Sequence, residues 1–528
     1  MIDGEKPVIQ ENWDSPGDPQ QVGLVERGLT EIEIESFNVS LEDESPIDTA
    51  RPKSRQMIAR RTLVFAVAFG FVAIAHWGPL LPGLHRSGQT ILGVFVWFIL
   101  CTAANVFPGI AVGVGAPMLV VVLNHAKLPA AFNAFNGNVF FLAFGAFVIA
   151  AVMMATPLGK RVALGITGLL HSSKVDRILG GAMGATVFLH AVLPTVSETA
   201  LFLPVAQGLT DLPHASDDTE AHERSRIAII MTVAGLTPLF AGALFLTGAF
   251  PNLMLTAVLA HTSGIHISWF TWFVYNLPLW GLIPVLFFIV RRWFHLGNLE
   301  LADATIALPQ MRKNLGPMGR DEKWAVFCVT SGFVLWVTGP LTHLSTGMVA
   351  LMVVVALFAP WGELDIATVG KHVMWDVWVL LGGAISMGNL LYSSGVVKWL
   401  AQFLIAPILA SGIRQPVIIL LIVVFGLHIA RAGIVSAVAT GAAFIPLTIG
   451  LAKALGMSVL PFSLIVTNAL GYAVFLPISI TAVLIAFSAS GMRWSQMIKL
   501  GAVLSVVANL YVVLVQSSWL DLIGLPLR

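Results

Sequence analysis

Residues 189–204 read Leu-His-Ala-Val-Leu-Pro-Thr-Val-Ser-Glu-Thr-Ala-Leu-Phe-Leu-Pro. This stretch places Ser197, Glu198 and Thr199 side by side in a segment that is otherwise apolar. A carboxylate and unpaired backbone groups are costly inside a lipid bilayer, because no water is present to satisfy them. The stretch therefore indicates a functional interruption of a membrane segment.

A second stretch resembles the first. Residues 427–446 read Leu-His-Ile-Ala-Arg-Ala-Gly-Ile-Val-Ser-Ala-Val-Ala-Thr-Gly-Ala-Ala-Phe-Ile-Pro, with the same opening Leu-His, many small residues and a closing proline. Its charged residue is a base, Arg431, where the first stretch has an acid, Glu198. Two related polar interruptions predict a site built between two halves of a membrane protein.

The composition supports this class. Hydrophobic residues make up 57% of the 528 positions and charged residues only 11%, whereas soluble domains carry about 25% charged residues. A net charge of +1 favours no nucleic-acid partner. Cys101 and Cys328 both lie in apolar segments, so we interpret them as small core residues rather than as a disulfide.

The charges near the start of the chain predict its orientation. Residues 1–50 contain thirteen acidic residues and two basic ones, so we expect residues 1–58 to form a disordered acidic tail. The lack of an N-terminal apolar region argues against a cleaved signal peptide. The first apolar run follows a basic cluster of Arg51, Lys53, Arg55, Arg60 and Arg61. The positive-inside rule then predicts a cytoplasmic N-terminus in the cell (inner) membrane.

Apolar runs divide the chain into two halves. Residues 59–292 hold a first helix and a first repeat, residues 293–322 form a basic cytoplasmic linker, and residues 323–528 hold a second repeat. Each repeat is predicted to contain five spans and one re-entrant helical hairpin, about 11 transmembrane helices in an all-α polytopic membrane protein. An odd number of spans places the two ends of a repeat on opposite sides of the membrane. The second repeat is therefore predicted to be inverted relative to the first.

Two segments in each half are interrupted by proline, glycine or polar residues. We predict hairpins at about residues 180–208 and 416–449, and discontinuous helices at about 226–262 and 459–489. Three pairs of positions match at one separation of 238 (383 − 145): Gly145 with Gly383, Lys160 with Lys398, and His190 with His428. These matches favour an internal repeat.

This order of elements resembles the divalent anion:sodium symporter family of the ion transporter superfamily, over roughly residues 60–520. In that family the hairpin tips carry Ser-Asn-Thr and the broken helices carry a Thr-Pro-Pro-Asn type of loop. Together they bind sodium ions and an anionic substrate at the membrane midplane. The resemblance also implies a homodimer.

The motifs of the family are only partly present. Ser197 and Thr199 match the first hairpin tip, with Glu198 in place of asparagine, and Pro251-Asn252 match the end of the first loop. Only the serine of the second tip matches, and Val483 stands where the second loop has asparagine. The predicted substrate-binding residues are Ser197, Thr199, Asn252, Arg431, Ser436 and Thr481. The predicted coupling-ion residues are Ser197, Glu198, Pro251, Asn252, Ser436 and Ser479.

The two charged residues each allow alternatives. Glu198 either forms a structural bridge with a lysine or arginine, lies at a wet hairpin turn, or binds a cation or proton. Arg431 either extends to the membrane interface or binds a carboxylate, sulfate or phosphonate group through two hydrogen bonds. The two side chains could also pair with each other in the empty protein. His190 and His428 are interpreted as packing residues within apolar helices.

These observations predict a secondary transporter of a small anion, such as a di- or tricarboxylate, sulfate or sulfonate. Na⁺ or H⁺ would be the coupling ion, no cofactor is expected, and lipid surrounds the protein. An efflux permease, a cation/proton antiporter and an anion channel are the alternatives. An enzyme is not expected, because the sequence has no zinc-type His/Glu spacing, no Gly-rich phosphate loop and no nucleophile beside a base.

Overall fold

The computed structural model describes residues 55–210, 218–301, 304–431, 434, 436–476 and 479–528. The predicted acidic tail lies outside the described residues up to residue 54, and Pro477 and Ile478 of the second broken helix also lie outside them. Secondary structure in the described residues is helical, apart from an isolated bridge between Lys174 and Glu300. The protein is therefore an all-α polytopic membrane protein.

The first half begins with α1 and ends with α11. Its helices are α1 (Arg55–Trp77), α2 (Arg86–Ala103), α3 (Gly109–Asn124), α4 (Asn138–Ala155), α5 (Leu158–Thr167), α6 (Val175–Leu189), α7 (Thr195–Thr210), α8 (Thr219–Ala241, with a π-helical stretch at Met231–Leu236), α9 (Phe250–Ser263), α10 (Trp269–Tyr275) and α11 (Leu282–Trp293). A short helix, Leu128–Ala131, precedes α4.

The second half repeats this order. Its helices are α12 (Ala304–Asn314), α13 (Arg320–Val337), α14 (Thr346–Leu357), α15 (Trp375–Ser393), α16 (Val396–Ala410), α17 (Pro416–Arg431), α18 (Ala437–Ala454), α19 (Val459–Gly471), α20 (Thr481–Ser490) and α21 (Trp494–Leu522). Two short helices, Gly339–Thr342 and Ile366–Gly370, lie in its connections. Helices α2 to α9 thus have counterparts of the same order in α13 to α20.

The structure changes two details of the predicted topology. The last of the five spans predicted for the first repeat is a pair of helices, α10 and α11, bent by 58°. Pro278 lies at this bend, and proline cannot donate the backbone hydrogen bond that a straight helix needs. The linker expected at residues 293–322 contains helix α12 and the start of α13. Six described helices are long and apolar enough to cross a membrane alone, or up to eight if each bent pair is one span.

Two equivalent helix crossings join the halves. Helix α3 packs against α15, and α4 packs against α14. Gly383 lies directly on the backbone of Gly113, and a Cβ at Gly145 would be 2.6 Å from the Ala350 Cβ. Small residues allow such close approach of helices in a membrane, which explains the match of Gly145 and Gly383 in the sequence.

The interrupted segments pack across the halves in the same reciprocal way. Helix α9 contacts α18, and α7 contacts α20. Each broken helix of one half therefore lies against the hairpin of the other half. This arrangement brings four interruptions of regular helix to one place in the molecule.

Candidate functional site

Four helices begin at one cavity of about 370 Å³. The first residues of α7, α9 and α20 and the Ser436 cap of α18 all line this cavity. The first turn of a helix has amide N–H groups without intrahelical partners and carries a partial positive charge. Four such ends around one cavity favour a negatively charged ligand.

Helix C-terminal ends form another part of the wall. Leu239, Gly242 and Ala243 at the end of α8 and residues 470–472 at the end of α19 line the same cavity. Carbonyl groups at such ends can coordinate a cation. Thr467 Oγ1 and Asn468 Oδ1 also belong to lining residues, and neither has a hydrogen-bond partner in the described part of the chain.

Arg431 is the last residue of α17 and lines the cavity, although only 4% of it is exposed. Its Nη2 donates a long hydrogen bond of 3.5 Å to the carbonyl oxygen of Ser479. Its Nε and Nη1 have no partner in the described residues. A buried guanidinium with free donors is unfavourable unless an acceptor arrives. The arrangement is suited to a carboxylate, which can accept in parallel from the second N–H of Nη2 and from one of these two unpaired nitrogens.

Asp376 is the other charged residue among those that the structure describes at the cavity wall. It lies in the first turn of α15, where an acid interacts favourably with the helix dipole. Its Oδ1 accepts a hydrogen bond of 3.3 Å from the amide of Ile110 at the start of α3. Asp376 therefore joins two helices of opposite halves.

Five predicted site residues line the cavity: Pro251, Asn252, Arg431, Ser436 and Thr481. The Asn252 side chain donates to the carbonyl oxygens of Gly242 (2.7 Å) and Phe245 (2.9 Å) and so holds the unwound segment between α8 and α9. Ser436 caps α18, where its Oγ accepts from the Ala439 amide at 3.2 Å.

The other four predicted residues, Ser197, Glu198, Thr199 and Ser479, are not among the lining residues. Helix α7 already begins at Thr195, so Thr195 and Val196 line the cavity in place of the Ser-Glu-Thr cluster. Ser197 Oγ contacts Met374 Sδ at 3.4 Å, and Thr199 Oγ1 donates to the carbonyl oxygen of Thr195 at 2.9 Å.

Glu198 has a partner that the sequence did not suggest. Its Oε2 lies 2.5 Å from Nδ1 of His190, and both residues are fully buried. Of the alternatives for Glu198, a pairing with a lysine or arginine, including Arg431, does not occur among the described residues in this conformation. The turn at residues 190–194 reverses the chain and brings the residue that follows α6 against the first turn of α7.

The two histidines that match in sequence do not occupy equivalent places. Helix α6 ends at Leu189 and α17 ends at Arg431, so His190 follows its helix whereas His428 lies inside one. His428 Nδ1 donates to the Val424 carbonyl oxygen at 2.7 Å, and its Nε2 accepts from Asn509 Nδ2 at 3.1 Å. The interpretation as a packing residue fits His428, whereas His190 joins the end of α6 to α7 through its contact with Glu198.

Paired hairpins and broken helices whose ends meet, together with a buried arginine, at one cavity are typical of a membrane transporter. The chain belongs to the family described as the sodium:sulfate symporter transmembrane region, whose model matches residues 58–525. The resemblance inferred from the hairpin motifs is thus confirmed. The chain is a transporter rather than an enzyme.

Similar proteins have been characterised in bacteria. The sodium-dependent dicarboxylate transporter SdcS of Staphylococcus saprophyticus is 24% identical, over 82% of this chain and 86% of that protein. The L-tartrate/succinate antiporter of Escherichia coli is 26% identical, over 76% of this chain and 85% of that protein. The crystal structure of the Alcanivorax borkumensis YdaH transporter has a TM-score of 0.49 at 12% identity, covering 89% of this chain and 99% of that one.

Proposed function

We propose that the protein transports a small dicarboxylate anion across the cell's inner membrane by alternating access. The substrate would lie in the cavity between the hairpins, with one carboxylate on Arg431 and the other near the first turns of α7 and α9. The hairpins would move relative to the remaining helices, with the N-terminus cytoplasmic and two copies forming a homodimer.

The observation that carries this proposal is the free guanidinium of Arg431. Its Nε and Nη1 lack partners in the described residues although the residue is 96% buried (4% exposed). A carboxylate supplies two acceptor oxygens in the plane that a guanidinium requires, whereas a neutral ligand would leave the positive charge uncompensated. A bound anion would therefore supply the hydrogen-bond acceptors and the negative charge that the Arg431 guanidinium lacks.

The size and the relatives favour a dicarboxylate. The cavity of about 370 Å³ lies within the usual range for small-ligand sites, about 300–1,000 Å³. It can hold a four-carbon diacid together with water. The names of the two relatives describe a dicarboxylate transporter and a tartrate/succinate antiporter, and both substrate classes carry two carboxylates.

Cation coupling would use Na⁺ or H⁺. Oxygen groups near the α19 end, Thr467 and Asn468, are available for a sodium ion. In the second broken helix Val483 offers no side-chain oxygen, and in the second hairpin Ala437 offers none. Exchange of one dicarboxylate for another is the second candidate function, because an exchanger needs the anion site but no complete set of sodium ligands.

Counterflow in proteoliposomes tests the proposal. Vesicles loaded with unlabelled succinate should take up labelled succinate, and external mono-, di- and tricarboxylates and sulfate should compete according to their fit. We expect dicarboxylates to compete best. Trans-stimulation distinguishes a carrier from an anion channel, which would conduct without it. Failure of every dicarboxylate to exchange or compete would refute the proposed function.

A further inference from the structure

A buried pair of ionisable side chains lies behind the cavity wall. His190 and Glu198 are both 0% exposed, and His190 Nδ1 lies 2.5 Å from Glu198 Oε2. The second polar atom of each side chain, His190 Nε2 and Glu198 Oε1, has no hydrogen-bond partner in the described part of the chain. Polar atoms left incomplete in an apolar environment are costly and call for a functional explanation.

The charge of the pair is not balanced by a neighbour. Helix α7 packs against α4, α5, α6, α8 and α20. The charged and titratable side chains on these helices are Lys160, Arg161, Asp176, Arg177, Glu220, His222, Glu223, Arg224 and Arg226. Ion pairs join Arg161 to Glu322, Arg291 to Asp176 and Arg224 to Glu220. Among the described residues, His190 alone is within ion-pair distance of Glu198.

The net charge of the pair therefore depends on how many protons the imidazole and the carboxyl group hold together. A carboxylate beside a neutral imidazole carries one negative charge. One added proton makes the pair neutral, whether the proton is on the imidazole or on the carboxyl group, and a second makes it positive. Because a net charge is expensive at membrane depth, the buried pair is most stable with one shared proton.

His190 also touches the unwound segment between α8 and α9. A Cβ added at Gly248 would lie 2.6 Å from His190 Nε2, and Gly248 itself lines the cavity. Thr195 donates from N (3.3 Å) and from Oγ1 (3.1 Å) to the Gly248 carbonyl oxygen. Thr247 Oγ1 donates to the Ala191 carbonyl oxygen at 3.0 Å. These bonds hold the unwound segment and the hairpin turn together over the pair.

We propose that the His190–Glu198 pair is the proton-binding site that couples transport to a proton gradient, an inference that rests on the proposed function. When the unwound segment separates from the hairpin turn, water reaches the pair and gives it a proton, which forms an N–H or O–H bond. Closure buries the neutral pair. Opening toward the other side breaks that bond and returns the proton to water there.

His428 provides a matched control in the second hairpin. It is nearly as buried as His190, at 2% exposure, but both of its ring nitrogens have partners, and among the described residues no carboxylate lies within ion-pair distance of it. Replacement by asparagine keeps a donor near the Nδ1 position at either site. Glu198→Gln keeps the shape and hydrogen bonding of the pair but cannot ionise.

The experiment uses the full-length protein in proteoliposomes. We expect a gradient of one pH unit to drive succinate accumulation by about tenfold per proton in the wild type and in His428→Asn. For each variant, the accumulation of succinate is divided by its counterflow activity. In Glu198→Gln and His190→Asn, this ratio in a pH gradient should fall to the ratio measured without a gradient. Pyranine fluorescence in weakly buffered detergent solution should show succinate-linked proton exchange in the wild type and in His428→Asn, and none in the two pair variants.

The outcomes separate this inference from the proposed function. The inference is overturned if gradient-driven accumulation persists in Glu198→Gln, or if the wild type responds to Na⁺ gradients but not to pH gradients. In either case, succinate counterflow in the wild type would leave the proposed function intact. If Glu198→Gln does not fold, His190→Asn and the pyranine measurement decide. Absence of succinate binding and counterflow in the wild type refutes both.

Discussion

Replacing Arg431 with lysine tests how the anion is bound. The guanidinium lies at the cavity with Nε and Nη1 unpaired, and Nη2 has a second N–H besides the one in its long bond to Ser479. One substrate carboxylate can therefore accept two parallel hydrogen bonds, one from Nη2 and one from Nε or Nη1. Lysine keeps the positive charge but presents a single ammonium group on a flexible stem. The substitution therefore removes the paired geometry while it preserves the charge.

The structure sets the expected size of the effect. A hydrogen bond to a charged group contributes about 1.5–3 kcal/mol. Loss of one of two such bonds in Arg431→Lys should raise the succinate Kd by roughly tenfold to a hundredfold. Arg431→Gln also removes the charge and leaves the substrate carboxylate without a counter-ion, so the loss should be larger still.

Calorimetric titration of the purified protein with succinate measures this effect. Arg291→Lys is the matched control, because Arg291 bonds Asp176 at 2.9 Å and does not line the cavity. The control should keep the wild-type Kd. An Arg431→Lys protein with wild-type affinity would refute the assignment of the guanidinium to the substrate.

Three further substitutions test the packing and the site. Gly383→Ala should lower the melting temperature in detergent, since overpacking costs about 1–3 kcal/mol. Gly165→Ala is the control and should leave the melting temperature unchanged, because an added Cβ there meets nothing within 4 Å. Asn252→Ala removes two hydrogen bonds and should destabilise the protein by about 2 kcal/mol, seen as a lower melting temperature. Thr195→Val should weaken succinate binding severalfold, because Thr195 lines the cavity. Thr199→Val should not weaken it, because the Thr199 hydroxyl bonds its own helix. Equal effects of the two substitutions on the succinate Kd would contradict the placement of the cavity.

Much of the fold is predictable because its interruptions are local. Both hairpins and the first broken helix occur where proline, glycine and polar residues interrupt apolar runs. Pro278 was the available signal for the bend between α10 and α11. The packing of α3 on α15 required the structure, because matched glycines do not reveal which helices they join.

The orientation of residues at the hairpin tip is harder to predict. Whether Thr195 or Ser197 faces the cavity depends on where α7 begins. A shift of two positions along a helix rotates the exposed face by about 200°, more than half a turn. Pro194, which directly precedes α7, was a usable signal, since proline favours helix starts. The partner of Glu198 was not predictable from the same residues, because it depends on how the turn at 190–194 folds back.

The two hairpins share a sequence plan but differ in charge. Phe202 and Phe444 match at a separation of 242 (444 − 202), and at this separation Glu198 corresponds to Thr440, which lines the cavity. A carboxylate at this position would compete with the substrate for Arg431, whereas the wall residue Asp376 accepts a hydrogen bond from the Ile110 amide. Glu198 instead lies behind the wall with His190. In the proposed coupling mechanism this separation lets the protein bind the substrate anion at Arg431 and a proton at the His190–Glu198 pair at the same time. The carboxylate of Glu198 then does not neutralise Arg431, and the substrate does not take the proton of the pair.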